Sequence, residues 1–83
     1  MVQHSHQFVE TYDGLVGYGL DRKTNENTLV YYLQKFSDDD LMKVMMSRLS
    51  DMEMDDIFDR ISALLSRHLT EEEYHRLFLK EER

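Results

Sequence analysis

One arrangement recurs three times in the second half of this chain, and each copy reads as the start of a helix. The segments are Phe36-Ser37-Asp38-Asp39-Asp40-Leu41, Leu49-Ser50-Asp51-Met52-Glu53-Met54 and Leu69-Thr70-Glu71-Glu72-Glu73-Tyr74. In each, a hydroxyl residue can accept from the backbone N–H three positions on. Glu53 and Glu73 can bond back to the cap's own N–H, as a capping box requires, and Asp40 is a shorter-armed version. An apolar residue before each cap and another five positions later have the spacing of a hydrophobic staple. Acidic residues fill each first turn, where the positive end of the helix dipole favours them. Helices are therefore predicted to begin near 37, 50 and 70 with almost no loop between them. The unequal spacing of the three starts makes this shared capping chemistry, not a fixed-period repeat.

The faces of these helices follow from about 100° per residue. Over 51–69, Met54, Ile57, Phe58, Ile61, Leu64, Leu65 and Leu69 share an arc about 140° wide, which predicts the longest helix and the spine of the fold. A narrower stripe over 71–82 carries Tyr74, Leu77 and Phe78. A further helix is expected to start between Thr24 and Thr28 and end at Phe36, with Leu29, Val30, Tyr32, Leu33 and Phe36 inward. Over 6–16 the pattern of Phe8, Val9, Tyr12, Leu15 and Val16 predicts a helix that loosens through Gly17-Tyr18-Gly19, with a strand as the rival reading. The chain contains no proline, so nothing breaks these helices from within. The expected fold is all-α, a compact bundle of four to five short helices in a single domain over 1–83, with 1–5 as a mobile tail.

Composition removes several classes of function. The 83 residues contain no cysteine, which excludes disulfides, thiolate metal sites and a cysteine nucleophile. A net charge of −7 opposes phosphate backbones and anionic membranes. No basic, apolar leader opens the chain, and its longest apolar run, 29–33, is far below the roughly 20 residues that a bilayer requires. A cytoplasmic location is the default expectation, with no nucleic acid and no membrane among the partners.

Methionine is the most unusual feature. Met42, Met45, Met46, Met52 and Met54 fall within one short stretch, and the apolar residues of 38–49 spread over about 200° of the helix, wider than one layer of neighbours covers. Flexible, polarisable methionine suits surfaces that adapt to a partner. The candidate interface is Leu41, Met42, Met45, Met46, Leu49 and Met52, with self-association as a homodimer expected through Met42 and Met46. Loose core filling is the plainer alternative, as is a cover supplied by Tyr12 or Tyr18 of the N-terminal segment. Around the strip, Asp38, Asp39, Asp40, Asp51, Glu53, Asp55, Asp56 and Asp59 outnumber Lys43, Arg48 and Arg60, which leaves −5 of the total −7 within 37–60. Helix caps and a solvated face account for these acids, and a collar for a basic partner is the sharper reading.

Metal signals are weak. An EF-hand loop starting at Asp21 would place Lys23, Glu26 and Tyr32 where an oxygen ligand, glycine and glutamate are needed, so it fails. Glu72-x-x-His75 has di-iron spacing but occurs once, so only a symmetric dimer could complete a site. Val2-Gln3-His4 could bind Cu(II) or Ni(II) only with Met1 removed. His68 lies in the apolar arc of 51–69 and is expected to be largely buried. Neither a phosphate-binding glycine loop nor a nucleophile motif is present. No cofactor, no metal and no catalytic residue is predicted.

The segments 12–23 and 69–78 resemble small bacterial cytosolic proteins. That resemblance implies a bacterial cytosolic origin and brings no function with it. The expected function is non-catalytic protein–protein interaction, as a small acidic adaptor that self-associates. A helix-turn-helix DNA-binding regulator is the alternative, opposed by the lack of a basic stripe. A metal-binding helical dimer is third.

Overall fold

The computed structural model describes residues 6–81, and the expected tail at 1–5, with the Val2-Gln3-His4 segment, lies outside them. The protein is all-α, and no strand occurs among the described residues. Two units divide the chain, Ser5–Arg48 and a second built on Leu49–Arg83.

The first unit contains α1 (Phe8–Thr11), α2 (Arg22–Phe36) and α3 (Asp39–Arg48). The N-terminal helix is a single turn and not the segment 6–16 that periodicity predicts. At Tyr12 the backbone is already extended (ψ 121°), and the Tyr12 hydroxyl donates to the Leu15 carbonyl at 2.8 Å. That close fold needs Gly14, whose Cβ, if present, would lie 2.6 Å from the Tyr12 hydroxyl oxygen. Gly19 has φ +98°, a left-handed conformation that side-chain-bearing residues avoid. The segment 12–20 is consequently irregular, and its polar backbone needs partners from elsewhere.

Those partners come from α2. This helix starts at Arg22, before the expected Thr24–Thr28 window, because Asp21 caps it: its carboxylate accepts from the Thr24 N–H at 2.9 Å and the Thr24 hydroxyl at 3.1 Å. Gln34 Oε1 accepts from the Val9 N–H at 2.9 Å, Thr28 Oγ1 from the Gly17 N–H at 3.0 Å, and Asn25 Oδ1 from the Gly19 N–H at 2.7 Å. Thr28 is the one buried residue among those described, at 3% exposure. The face of α2 that packs is thus the polar one. Leu29, Val30, Tyr32 and Leu33, expected inward, are exposed, and only Phe36 of that set is half-buried. The aromatic ladder of this unit runs from Phe8 to Tyr12, with ring centroids 4.8 Å apart, and on to Tyr31 at 6.1 Å. Lys35 Nζ sits 5.4 Å from the Tyr31 ring centre.

Between α2 and α3 the expected cap moves by one residue. Ser37 closes α2, its N–H reaching the Leu33 carbonyl. Asp38 caps α3 instead, its Oδ2 accepting from the N–H groups of Asp40 at 3.1 Å and Leu41 at 3.2 Å. An aspartate competes well with serine for this role, and placing it second in Ser37-Asp38-Asp39 lets each residue finish or begin one helix.

The second unit contains α4 (Asp51–His68) and α5 (Glu71–Glu73), which passes directly into a π-helical segment, Tyr74–Phe78. Both predicted capping boxes are present. Ser50 Oγ accepts from the Glu53 N–H at 3.1 Å while Glu53 accepts from the Ser50 N–H at 2.9 Å. Thr70 and Glu73 repeat the exchange at 3.1 and 2.8 Å. The last helix ends at Phe78, short of the 82 that its stripe suggests. Widening to i→i+5 bonding, with the Leu79 N–H on the Tyr74 carbonyl at 3.0 Å, stacks the Tyr74 and Phe78 rings 5.3 Å apart. Lys80 then turns left-handed (φ 60°), and the Glu81 N–H closes on the His75 carbonyl at 3.0 Å.

α4 has the predicted length but not the predicted burial. Leu65 is half-buried, and every other residue of the helix is exposed, including His68, which was expected inside. No apolar side chain is buried among the described residues. Among them too, no helix is long and apolar enough to cross a membrane.

Candidate interaction surface

Surface with potential function lies on the apolar sides of α2, α3 and α4. On α3, the strip predicted from methionine content begins at Leu41 and reaches Met46, each about two-fifths exposed, with Met42 and Met45 half-buried between them. Val44, 43% exposed, widens the same apolar surface. Leu49 and Met52 belong to the second unit, where Leu49 is half-buried and Met52 is 76% exposed. The interface candidates are therefore divided between the two units.

The N-terminal segment does not spend its aromatic residues on this strip. Tyr12 stacks with Phe8 and leans toward Tyr31 of α2. Tyr18 is exposed and borders a small apolar cleft with Thr28, Leu29 and Tyr32, again on α2. A second apolar cleft of about 450 Å³ is bordered by Val16, Tyr31, Tyr32, Phe36 and Leu41. It lies between α2 and the first turn of α3 and meets the α3 strip at Leu41.

A more polar opening of about 640 Å³ lies beside His6, Glu10, Lys35, Ser37 and Asp38. Here His6 Nε2 stands 2.9 Å from Ser37 Oγ. Serine beside histidine invites a nucleophilic reading, but the bonding opposes it. The Ser37 hydroxyl also lies 3.1 Å from the Gln34 carbonyl, which competes with the ring nitrogen for its one hydrogen. A general base would have to accept that hydroxyl hydrogen. Among the described residues no carboxylate orients His6 from its other side.

The metal candidates are separated. His75 Nδ1 is 2.6 Å from Glu81 Oε1, while Glu72 lies 3.9 Å from Arg76. Among the described residues no three histidine, cysteine, aspartate or glutamate side chains converge on a point that could hold an ion. Asp21, considered above as a calcium-loop start, is the cap of α2. Its carboxyl is held below the ordinary aspartate range, chiefly by the Thr24 N–H and then by the Thr24 hydroxyl. Glu73 is lowered in the same way, first by the Thr70 N–H and then by the Thr70 hydroxyl. Both groups serve helix ends.

The feature that sequence reasoning missed is the polar face of α2. Thr24, Asn25, Thr28 and Gln34 fall at helical spacing, a signal present in the sequence but overshadowed by the apolar residues beside them. No family model, curated protein or solved structure matches this chain.

Proposed function

We propose that this protein is a non-catalytic interaction module that works by associating with further protein, in the first place with copies of itself. One observation carries the reading: α2, α3 and α4 each present apolar side chains outward, and none is buried among the described residues. An isolated helix as short as the 10-residue α3 is marginal in water, and most helical stability in proteins comes from packing an apolar face. A chain of this kind gains its missing burial from a partner, and the cost of ordering is met when the partner binds.

The α3 strip is the proposed contact, with Met42 and Met46 one helical turn apart. The carboxylates of Asp38, Asp39 and Asp40 stand at its edge, where water screens them. A cytoplasmic setting fits the cysteine-free chain, and a bacterial one is what the resemblance of 12–23 and 69–78 implies. The DNA-binding alternative has less support, since the excess of acids around α3 and α4 opposes a phosphate backbone.

The test is a dilution series followed by amide NMR, with the wild type beside the Met42→Lys, Met46→Glu double variant. In the wild type, amides of 41–46 should shift with concentration, and the double variant should lose that response while keeping its helical content. Concentration-independent spectra of the wild type up to high micromolar would overturn the self-associating part of the reading. Salt-dependent binding to duplex DNA would favour the alternative.

A further inference from the structure

We infer that α4 pairs with α4 of a second copy in an antiparallel arrangement centred on Ile61. The inference rests on the self-association proposed above but not on the α3 strip. Its starting point is exposure. Along α4, Met54, Ile57, Phe58, Ile61 and Leu64 remain between 37% and 72% exposed. With Leu65 and His68 they form one stripe about 120° wide, and Ile61 lies at its middle. An 18-residue helix is about 27 Å long, so covering one side would hide on the order of 500 Å². A standard interface hides about 800 Å² per partner. The stripe alone is therefore smaller than a standard interface, and Leu77 and Phe78 of the same unit are exposed as well.

Charge selects the occupant and its direction. Asp51, Glu53, Asp55, Asp56 and Asp59 occupy the first half of α4, whereas Arg60 and Arg67 follow. A partner helix that complements this must be basic where α4 is acidic and acidic where it is basic. The same helix reversed has that pattern. Glu53, Arg60 and Arg67, at seven-residue intervals, line one edge of the stripe, while Asp51, Asp55, Ser62 and Ser66 line the other.

In an antiparallel pair related by a two-fold axis, each edge meets its own copy reversed. Glu53 then faces Arg67 of the second copy, twice by symmetry, and Asp55 faces the serine end of its edge. Arg60 meets Arg60 at the axis, the one like-charge contact. In a parallel pair unlike edges meet, which brings Glu53 beside Asp51 and Asp55 of the second copy. Helix dipoles also oppose parallel alignment and favour the reversed one.

Because the chain has no cysteine, its thiols can be placed at will. The Met54→Cys chain and the His68→Cys chain, each full length, are mixed and oxidised with copper-phenanthroline. Positions 54 and 68 are equidistant from Ile61, so the mixed disulfide should form in large excess over either self-linked product. The Ile61→Cys chain should link to itself. A charge exchange supplies a second readout: Glu53→Arg or Arg67→Glu alone should weaken association, and the two together should restore it. Predominant self-linking of the Met54→Cys chain would overturn the antiparallel arrangement. Concentration-dependent association with no linking at any of these positions would overturn the α4 contact while leaving self-association intact. A strictly monomeric wild type would overturn both.

Discussion

Thr28 holds Gly17 at both ends: its hydroxyl accepts from the Gly17 N–H at 3.0 Å and donates to the Gly17 carbonyl at 3.2 Å. One side chain thus satisfies both polar groups of a residue that belongs to no helix. The contact joins positions eleven apart in sequence and is the best-shielded point of the first unit.

Replacing Thr28 with valine keeps the shape and removes both bonds. The loss should cost about 1–3 kcal/mol, the penalty for leaving shielded polar groups without partners. Serine at the same position should restore most of it. Hydrogen exchange at the Gly17 amide checks this directly: faster in the valine variant, near wild type in the serine variant. Equal protection in all three would mean that Thr28 does not fix the segment.

The capping boxes at Ser50 and Thr70 allow a second measurement. Alanine at either position should cost about 0.5–2 kcal/mol. In a domain of this size each kcal/mol lowers the melting temperature by about 4–8 °C. Thermal melts followed by circular dichroism should show the drop for both variants. A Ser37→Ala variant should differ, since Asp38 caps α3, and its effect should fall on the end of α2 and the contact with His6.

The first half of the chain was the harder half to read from sequence, and the reason is physical. Cap signals are local, so Ser50 with Glu53 and Thr70 with Glu73 could be recognised from residue type and spacing alone. Ser37-Asp38-Asp39 offered several acceptors in a row, and which one caps depends on where α2 stops. At Asp21 no glutamate stands three positions on, so no capping box marks the start of α2. Apolar periodicity identified α4 as a helix, yet it reports a face without reporting what covers it, so burial of His68 did not follow. On α2 the stronger apolar pattern lost to a polar one, because the glycine-containing segment 12–20 needed hydrogen-bond partners.

Two carboxyls tie stability to pH. Asp21 and Glu73 are both held below their ordinary values by bonds that only the folded ends supply. A lowered folded value means that the ionised carboxylate stabilises the fold. That contribution is complete above the unfolded value and disappears as the pH falls through the folded one. Helicity should therefore decline on acidification from about 4.5, the ordinary glutamate value, downward. The Glu73→Gln variant should show a shallower acid transition at the C-terminal helix, because the group accepting from the Thr70 N–H then carries no titrating carboxyl. A transition identical to wild type would detach Glu73 from the stability of this segment.

In the function proposed, the outward apolar faces of α2, α3 and α4 are completed by further copies of this chain. Sedimentation equilibrium of the untagged wild type, from low to high micromolar concentration at moderate salt, tests it most directly. The average mass should rise with concentration above the 10.0 kDa of one chain and level at a multiple of it. A mass that stays at 10.0 kDa throughout, with helicity intact, would contradict it.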